Sequence, residues 1–298
     1  MGGILIVNKH AGVTSHDIVY KIRRLYGTKQ VGHTGTLDPM AEGVLVMLVG
    51  GAVKASEYLV CHEKRYEAGL QLGIETDTED VTGEVLRKGE EIPSREAVLS
   101  VCQRFVGEGE QIPPMYSALK VGGRKLCDLA REGVEVAREP RPITVFSLKA
   151  EATEDEREYR LAVHCSSGTY IRTLCADIGK ALGCGATMSS LRRTAVGEFS
   201  LDGARTVDEL SAMSEEEREA LLLPTETLFS SLPELHFPAF YERLCKNGCE
   251  IYLKKISRSD LCEGARLRLC DKDGFFALGE VRSYPDGLAV KAIKFFRQ

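Results

Sequence analysis

Val44-Leu45-Val46-Met47-Leu48-Val49 is the longest unbroken aliphatic run in the chain. It suits a β-strand and falls far short of the roughly 20 apolar residues that carry a helix across a bilayer, so no membrane span is expected. A run of this kind reads as a buried strand, and a tight segment punctuated by Gly32, Gly35 and Gly43 feeds it. Whatever this chain folds into therefore contains a buried strand entered through a glycine-rich loop.

The flanking patterns fill in the fold class. A short strand at 4–7 leads through a turn at Ala11-Gly12 into a helix over about 15–26. Its apolar positions Ile18, Val19, Ile22, Leu25 and Tyr26 have helical spacing, and Thr14 or Ser15 can cap it. Residues 64–72 read as a strand. Residues 94–106 read as a helix with Val98, Val101, Cys102 and Phe105 on one face. Residues 157–165 alternate, with Tyr159, Leu161, Val163 and Cys165 facing one way, and a helix over 169–182 buries Ile171, Leu174, Cys175, Ile178 and Leu182. Thr206 with Glu209 and Ser214 with Glu217 have the spacing of capping boxes. Strands and helices mix without regular alternation, which favours an α+β fold over a doubly wound sheet. After a proline-bearing connector at 232–238, short β patterns at 265–270, 275–284 and 288–296 are separated by turn signals. They suggest a small β-barrel of about 65 residues and a boundary near residue 230.

At 298 residues and 43% hydrophobic, the chain can bury one large core plus a small second domain. Met1-Gly2-Gly3 runs straight into Ile4-Leu5-Ile6-Val7, too short for a signal segment, and Ile6 occupies the Ser/Thr position of a myristoylation motif. The ten cysteines contain no Cys-x-x-Cys pair, which indicates reduced thiols filling core space in a cytoplasm. Cys245, Cys249 and His236 make a poor zinc set, and no metal is expected.

The net charge of -5 argues against a nucleic-acid partner, but its distribution argues back. Residues 9–30 carry Lys9, Lys21, Arg23, Arg24 and Lys29 against Asp17 alone. The segment from Arg243 onward holds twelve Lys or Arg against seven acids, while acids gather at 75–91 and 208–226. Segregation of this kind can present a basic stripe; by itself it is equally an ordinary solvated surface.

Asp38 lies in the glycine-punctuated loop, with Pro39 fixing the backbone after it. A carboxylate held rigidly beside a buried strand can serve as nucleophile or base, and Asp before Pro is also a common structural turn. No Gly-Lys-Ser/Thr follows the glycines, which excludes a phosphate-binding loop. Val81 stands at a ligand position that a calcium loop around Asp77, Glu79 and Asp80 would require.

Gly32-His33-Thr34-Gly35-Thr36-Leu37-Asp38-Pro39, followed by Ala41-x-Gly43-Val44-Leu45, resembles the catalytic motif of the TruB pseudouridine synthases. Further blocks resembling that family follow in order over 8–194. They are Asn8-Lys9-x-x-Gly12-x-Thr14-Ser15, Lys64-Arg65-Tyr66, Gly73-x-x-Thr76-Asp77-Thr78-x-Asp80-x-x-Gly83, and Pro113-Pro114-x-Tyr116-Ser117-Ala118-Leu119-Lys120. Cys165-Ser166-x-Gly168-Thr169-Tyr170-Ile171-Arg172-Thr173-Leu174 and Leu191-Arg192-Arg193-Thr194 complete the set. His10 departs from the family's proline after the opening lysine.

The resemblance implies a catalytic domain at 1–230 with a mixed, largely antiparallel sheet and an RNA-gripping insertion at about 110–142. Residues 231–298 resemble a PUA-like RNA-binding domain more loosely. The implied activity is isomerisation of uridine-55 in the T-loop of tRNA, with no cofactor because the product is an isomer, and with the T-arm as the partner of a monomeric protein. Asp38 is the implied catalytic carboxylate and Arg172 the cation that keeps it ionised. Tyr66 would hold the flipped base, with a hydroxyl placed to assist proton removal. Lys9, His33, Asp80, Tyr170 and Leu191 are the implied substrate-binding residues, and Lys120, Arg124 and Lys125 the phosphate-gripping ones. Taken singly, Tyr66 reads as a packing residue, Arg172 as a helix charge and His33 as a loop hydrogen-bonder. Two other functions fit parts of the pattern. A glycoside hydrolase would pair Asp38 with a second carboxylate such as Asp80. A catalytically silent RNA-binding module or RNA chaperone would use the basic stripes and the PUA-like tail but leave Asp38 without a purpose.

Overall fold

The computed structural model describes residues 2–58 and 63–297, so Met1 and Cys61 lie outside the described residues. The chain opens with β1 (Gly2–Lys9), α1 (Ser15–Leu25), β2 (Val31–His33), β3 (Glu42–Gly50), β4 (Lys64–Leu72), β5 (Ile74–Thr76), β6 (Val85–Lys88), α2 (Arg95–Gln103) and β7 (Gly107–Gln111). It continues through β8 (Lys120–Val121), β9 (Arg124–Lys125), α3 (Leu126–Arg131), β10 (Arg141–Ala152), β11 (Glu158–Cys165), α4 (Ile171–Leu182), β12 (Ala186–Val196), β13 (Phe199–Ser200), α5 (Val207–Ala212) and α6 (Glu215–Ala220). The tail adds β14 (Glu234–His236), α7 (Ala239–Lys246), β15 (Ile251–Tyr252), β16 (Arg266–Asp271), β17 (Gly274–Tyr284) and β18 (Gly287–Phe295).

One nine-stranded sheet has the order β1-β3-β12-β4-β11-β10-β7, with β2 added on β3 and β13 on β12. Its pairings are antiparallel except where β3 runs parallel to β12, at Glu42 with Arg192 and Gly43 with Arg193. The fold is α+β, as the irregular order of elements indicated.

Side chains alternate across a strand, so β1 and β3 serve two cores at once. Leu5, Val7, Leu45, Met47 and Val49 point to one face, into a core that continues along the sheet and takes in Ile18 and Ile22 of α1, Cys102 of α2, Leu174 and Ile178 of α4 and Leu210 of α5. Ile4, Ile6, Val44, Val46 and Leu48 point to the other, where Leu228, Phe229, Phe275 and Leu278 cover them. The second cover comes partly from the tail. Its five strands, ordered β14-β16-β17-β18-β15, form a half-barrel that fits the PUA-like expectation. That half-barrel has its own interior of Leu267, Leu269, Phe276, Val281 and Val290 and also shares a core with the main sheet.

Local chemistry explains the helix ends. Thr14 closes a capping box with Asp17 at the start of α1, and the boxes at Thr206 and Ser214 both form. The described cysteines are unpaired thiols, and Cys102, Cys165, Cys175, Cys184, Cys245 and Cys270 are buried. No described helix is long and apolar enough to cross a membrane.

Candidate active site

The segment 34–41 between β2 and β3 is held from behind by bonds to its backbone. Thr34 donates to the Val46 carbonyl at 3.1 Å. Ser15 Oγ donates to the Leu37 carbonyl and accepts from the Leu37 amide, each at 2.9 Å. The Gly12 amide donates to the Pro39 carbonyl at 2.9 Å. Two buried cations finish the frame. Lys9 Nζ donates to the carbonyls of His10, Pro39 and Ala41 at 3.0, 3.2 and 2.5 Å. Arg193 donates from Nε to Val44 at 2.8 Å, from Nη1 to Thr36 at 3.3 Å and from Nη2 to Gly35 at 3.0 Å. Gly43 completes the fit, because at φ +100° a Cβ there would lie 2.2 Å from the Arg193 carbonyl oxygen. A loop tied at this many points presents Asp38 in one orientation.

Arg172 reaches Asp38 from the N-terminal end of α4. Its Nε lies 2.9 Å from Asp38 Oδ2, and its Nη2 donates to Oδ1 at 3.3 Å. The guanidinium is itself fixed by the carbonyls of Thr78 at 3.0 Å and Tyr116 at 2.8 Å. Asp80 Oδ2 stands 3.8 Å from the same Nε. The Arg172 side chain is 5% exposed and that of Asp38 34%, so the carboxylate has one open side facing a fixed cation. Burial raises the Asp38 pKa, Arg172 opposes the shift, and Asp80 adds to it; burial wins, and the carboxyl sits above its usual range. Arg172 therefore limits the rise without reversing it.

Asp80 is not a free second carboxylate. It is buried, with Oδ1 accepting from Thr78 Oγ1 and the Thr82 amide at 2.9 Å each. With a cation shared between the two acids, the geometry departs from the acid and base pair of a glycosidase.

Tyr66 on β4 is buried, its hydroxyl is paired with Arg193, and the Asp38 charge reaches it. Burial raises the pKa of its hydroxyl, and Arg193 opposes the shift. Tyr170 caps α4 and is gripped twice by the buried Gln111, whose Oε1 accepts from the Tyr170 amide at 2.8 Å while its Nε2 donates to the Tyr170 carbonyl at 3.0 Å. Leu191 is buried on β12. His33 ends β2, its pKa lowered by burial, and its Nδ1 has no hydrogen-bond partner among the described residues.

Lys9 has a different place from the one expected. It is 0% exposed, and its three hydrogen bonds end on backbone carbonyls, so it supports the loop from inside and offers nothing to a substrate. Arg193 and Gln111 were not singled out from the sequence. Leu191 and Arg193 are buried on either side of exposed Arg192, so the alternation of β12 carried the signal for Arg193.

Burial pulls the Lys9 pKa down to about 8. Above that pH a neutral amine has two hydrogens for three carbonyls, and the loop loosens. We expect kcat to fall along an alkaline limb near pH 8 that Lys9→Met lacks, measured from pH 6.5 to 9.5. The stability contribution of Lys9 has the opposite slope. Between about 8 and the ordinary 10.5 the unfolded chain binds the extra proton, so this term stabilises the fold as pH rises. An alkaline limb unchanged in Lys9→Met would remove the loop role.

Lys120, Arg124 and Lys125 stand on the exposed β8–β9 hairpin, turned by Gly122 at φ 59° and Gly123 at φ 85°. Lys120 lies directly across from Lys125, a like-charge pair that favours an anion nearby, whereas Arg124 is engaged with Glu132. The hairpin connects to the centre of the site through Tyr116, whose carbonyl holds Arg172.

Among the described residues, Glu234, His236 and Cys270 converge on the half-barrel closely enough to suggest a metal. Arg268 already occupies Glu234 at 3.0 Å, and neither Cys245 nor Cys249 joins the group.

Comparison with known proteins places the chain among relatives. Residues 23–171 match the model of the TruB family pseudouridylate synthase N-terminal domain, and residues 172–230 that of the tRNA pseudouridylate synthase B C-terminal domain. The chain is 48% identical over 252 residues to tRNA pseudouridine synthase B of Alkaliphilus oremlandii, covering 85% of this chain and 83% of the relative. It is 42% identical over 274 residues to the protein of that name from Burkholderia mallei, covering 92% and 90%. A chain in the crystal structure of a Cbf5-Nop10-Gar1 complex superposes with a TM-score of 0.72 at 26% identity, covering 99% of this chain and 84% of that one.

Proposed function

The chain belongs to the TruB family of pseudouridine synthases, and from that premise we propose that Asp38 isomerises the T-loop uridine conventionally numbered 55. The enzyme is an isomerase that converts uridine to pseudouridine in tRNA. The bond from ribose C1′ to uracil N1 breaks, C1′ joins C5, the C5 hydrogen leaves to solvent, and N1 gains a proton. Atoms balance without oxidant, reductant or energy source.

The observation that carries the proposal is the Asp38–Arg172 pair at 2.9 Å, with the carboxylate open on one side and its loop fixed on the other. An ionised carboxylate so held can reach the reacting sugar or base. The target base must leave its stack, and Tyr66 forms the aromatic wall that receives it. Tyr170, Leu191, His33 and Asp80 shape the surrounding pocket, while Lys120 and Lys125 meet RNA phosphates. Residues 1–230 form the catalytic unit, with its gripping insertion at about 110–142. Residues 231–298 bind a more distant part of the same tRNA. The protein works as a monomer in the cytoplasm.

An isolated T stem-loop tests the position. We expect one pseudouridine per molecule at the uridine corresponding to 55, mapped by carbodiimide adduct and primer extension. Modification elsewhere, or its persistence when that uridine is replaced by cytidine, would overturn the assignment.

A further inference from the structure

We infer that the outward face of α1 is a second RNA-contact surface, on which Tyr20 stacks against an unpaired base flanking the one taken into the Asp38 site. The inference rests on tRNA being the substrate and adds a contact outside the catalytic pocket.

Tyr20 is 56% exposed, a large ring left in water on a helix that buries Ile18, Val19 and Ile22. It has company on its own face. The His16 ring meets it edge-on, with centroids 4.8 Å apart, and the Arg23 guanidinium lies 5.6 Å from its centroid. The spacing 16, 20, 23 keeps the three in one column. A ring flanked by a cation and a second ring is the arrangement that binds unpaired bases without reading their identity.

Position and charge identify the occupant. Ser15, adjacent to His16, holds Leu37, the residue before Asp38. His16 is close enough to His33 to depress its pKa. Arg23 Nη2 donates to the Val31 carbonyl at 3.4 Å, so the column runs beside β2 and ends at the catalytic loop. Lys21, Arg24 and Lys29 add positive charge, while Asp17, the one acid here, is spent on the Thr14 cap. Arg23 Nε and His33 Nδ1, one at each end, are buried without a hydrogen-bond partner among the described residues. A polyanion with unpaired bases complements the exposed ring and the positive charge around it.

Local helix stabilisation alone would also bring Tyr20, His16 and Arg23 together, and the kinetics separate the two explanations. Tyr20→Ala and Tyr20→Phe should be compared on the T stem-loop, with equilibrium binding of the same RNA and thermal melting of each variant. We expect Tyr20→Ala to raise KM and Kd about tenfold, the loss expected for one stacked base, with kcat within about twofold and melting unchanged. Tyr20→Phe should behave as wild type, because the ring and not the hydroxyl makes the contact. Unchanged KM and Kd in Tyr20→Ala, or a loss confined to kcat, would overturn the proposal. Failure of the wild-type protein to turn over the stem-loop would count against the Asp38 assignment instead, and the binding comparison would still decide the role of Tyr20.

Discussion

Asp38→Asn is expected to lose turnover on the order of 10⁴-fold or more while the protein stays folded and still binds tRNA. The amide is nearly isosteric but supplies neither nucleophile nor base. The fold should tolerate the change for a reason visible in the site. Burial raises the folded-state pKa of Asp38, so above the unfolded value its ionisation works against the native state, and the neutral amide removes that cost. Arg172 is not left unpaired, since it keeps the carbonyls of Thr78 and Tyr116 and the neighbouring Asp80. The control is a circular dichroism melt beside a tRNA-binding isotherm. A variant that binds normally but retains a tenth of the activity would show that Asp38 is a structural turn.

Arg172→Ala is the second large effect, with a different signature. Removing one partner of a buried ion pair costs about 3–5 kcal/mol when both charges are inaccessible. Asp38 is a third exposed, so solvent screening places the loss below that range. The pH profile is the sharper readout. Without Arg172, burial and the Asp80 charge act on Asp38 against the Lys9 charge alone, and its pKa rises further. The active form is the carboxylate, which is lost as pH falls through the folded pKa. The acid limb of kcat should therefore move to higher pH, with the rate partly recovered as pH rises toward the Lys9 limb near 8. An unmoved acid limb with normal turnover would reduce Arg172 to a packing residue.

Most of the main sheet was legible because its strands announce themselves locally. Lys64–Leu72 forms over the expected bounds, and the helix expected over 169–182 appears as Ile171–Leu182. Both polar caps at Thr206 and Ser214 satisfy their boxes, as their spacing required. What covers the second face of a buried strand is not written in that strand. The run from Val44 to Val49 is apolar at every position, and only the three-dimensional structure shows its odd and even members entering different cores. For the same reason the tail looked separable, although Phe275 and Leu278 lie against Ile4, Ile6 and Leu48. A cut at residue 230 would uncover that face, so surface substitutions in the half-barrel are the better probe of what it binds.

The site divides along the same line. Asp38, Tyr66 and Arg172 stood out through motif resemblance, and the structure places Arg172 on Asp38 and Tyr66 within electrostatic reach of it. The supports behind them were harder to see. A lysine at the end of a strand ordinarily faces water, and nothing local showed that Lys9 turns inward to hold carbonyls; for Arg193 the alternation of β12 was the one local sign. Such cations make sense only once the loop they hold has been folded over them.

Release of tritium from tRNA labelled at C5 of its uridines tests the central claim most directly. It should be followed with enzyme in excess over RNA, in buffer containing EDTA, for wild type and Asp38→Asn side by side. We expect the wild type to release one tritium per tRNA while the mass of the unlabelled RNA stays constant, and the variant to bind the RNA but release none above background. Retention of tritium by RNA bound to the wild-type enzyme, or release that stops in EDTA and returns with added metal, would contradict isomerisation by the Asp38 carboxylate.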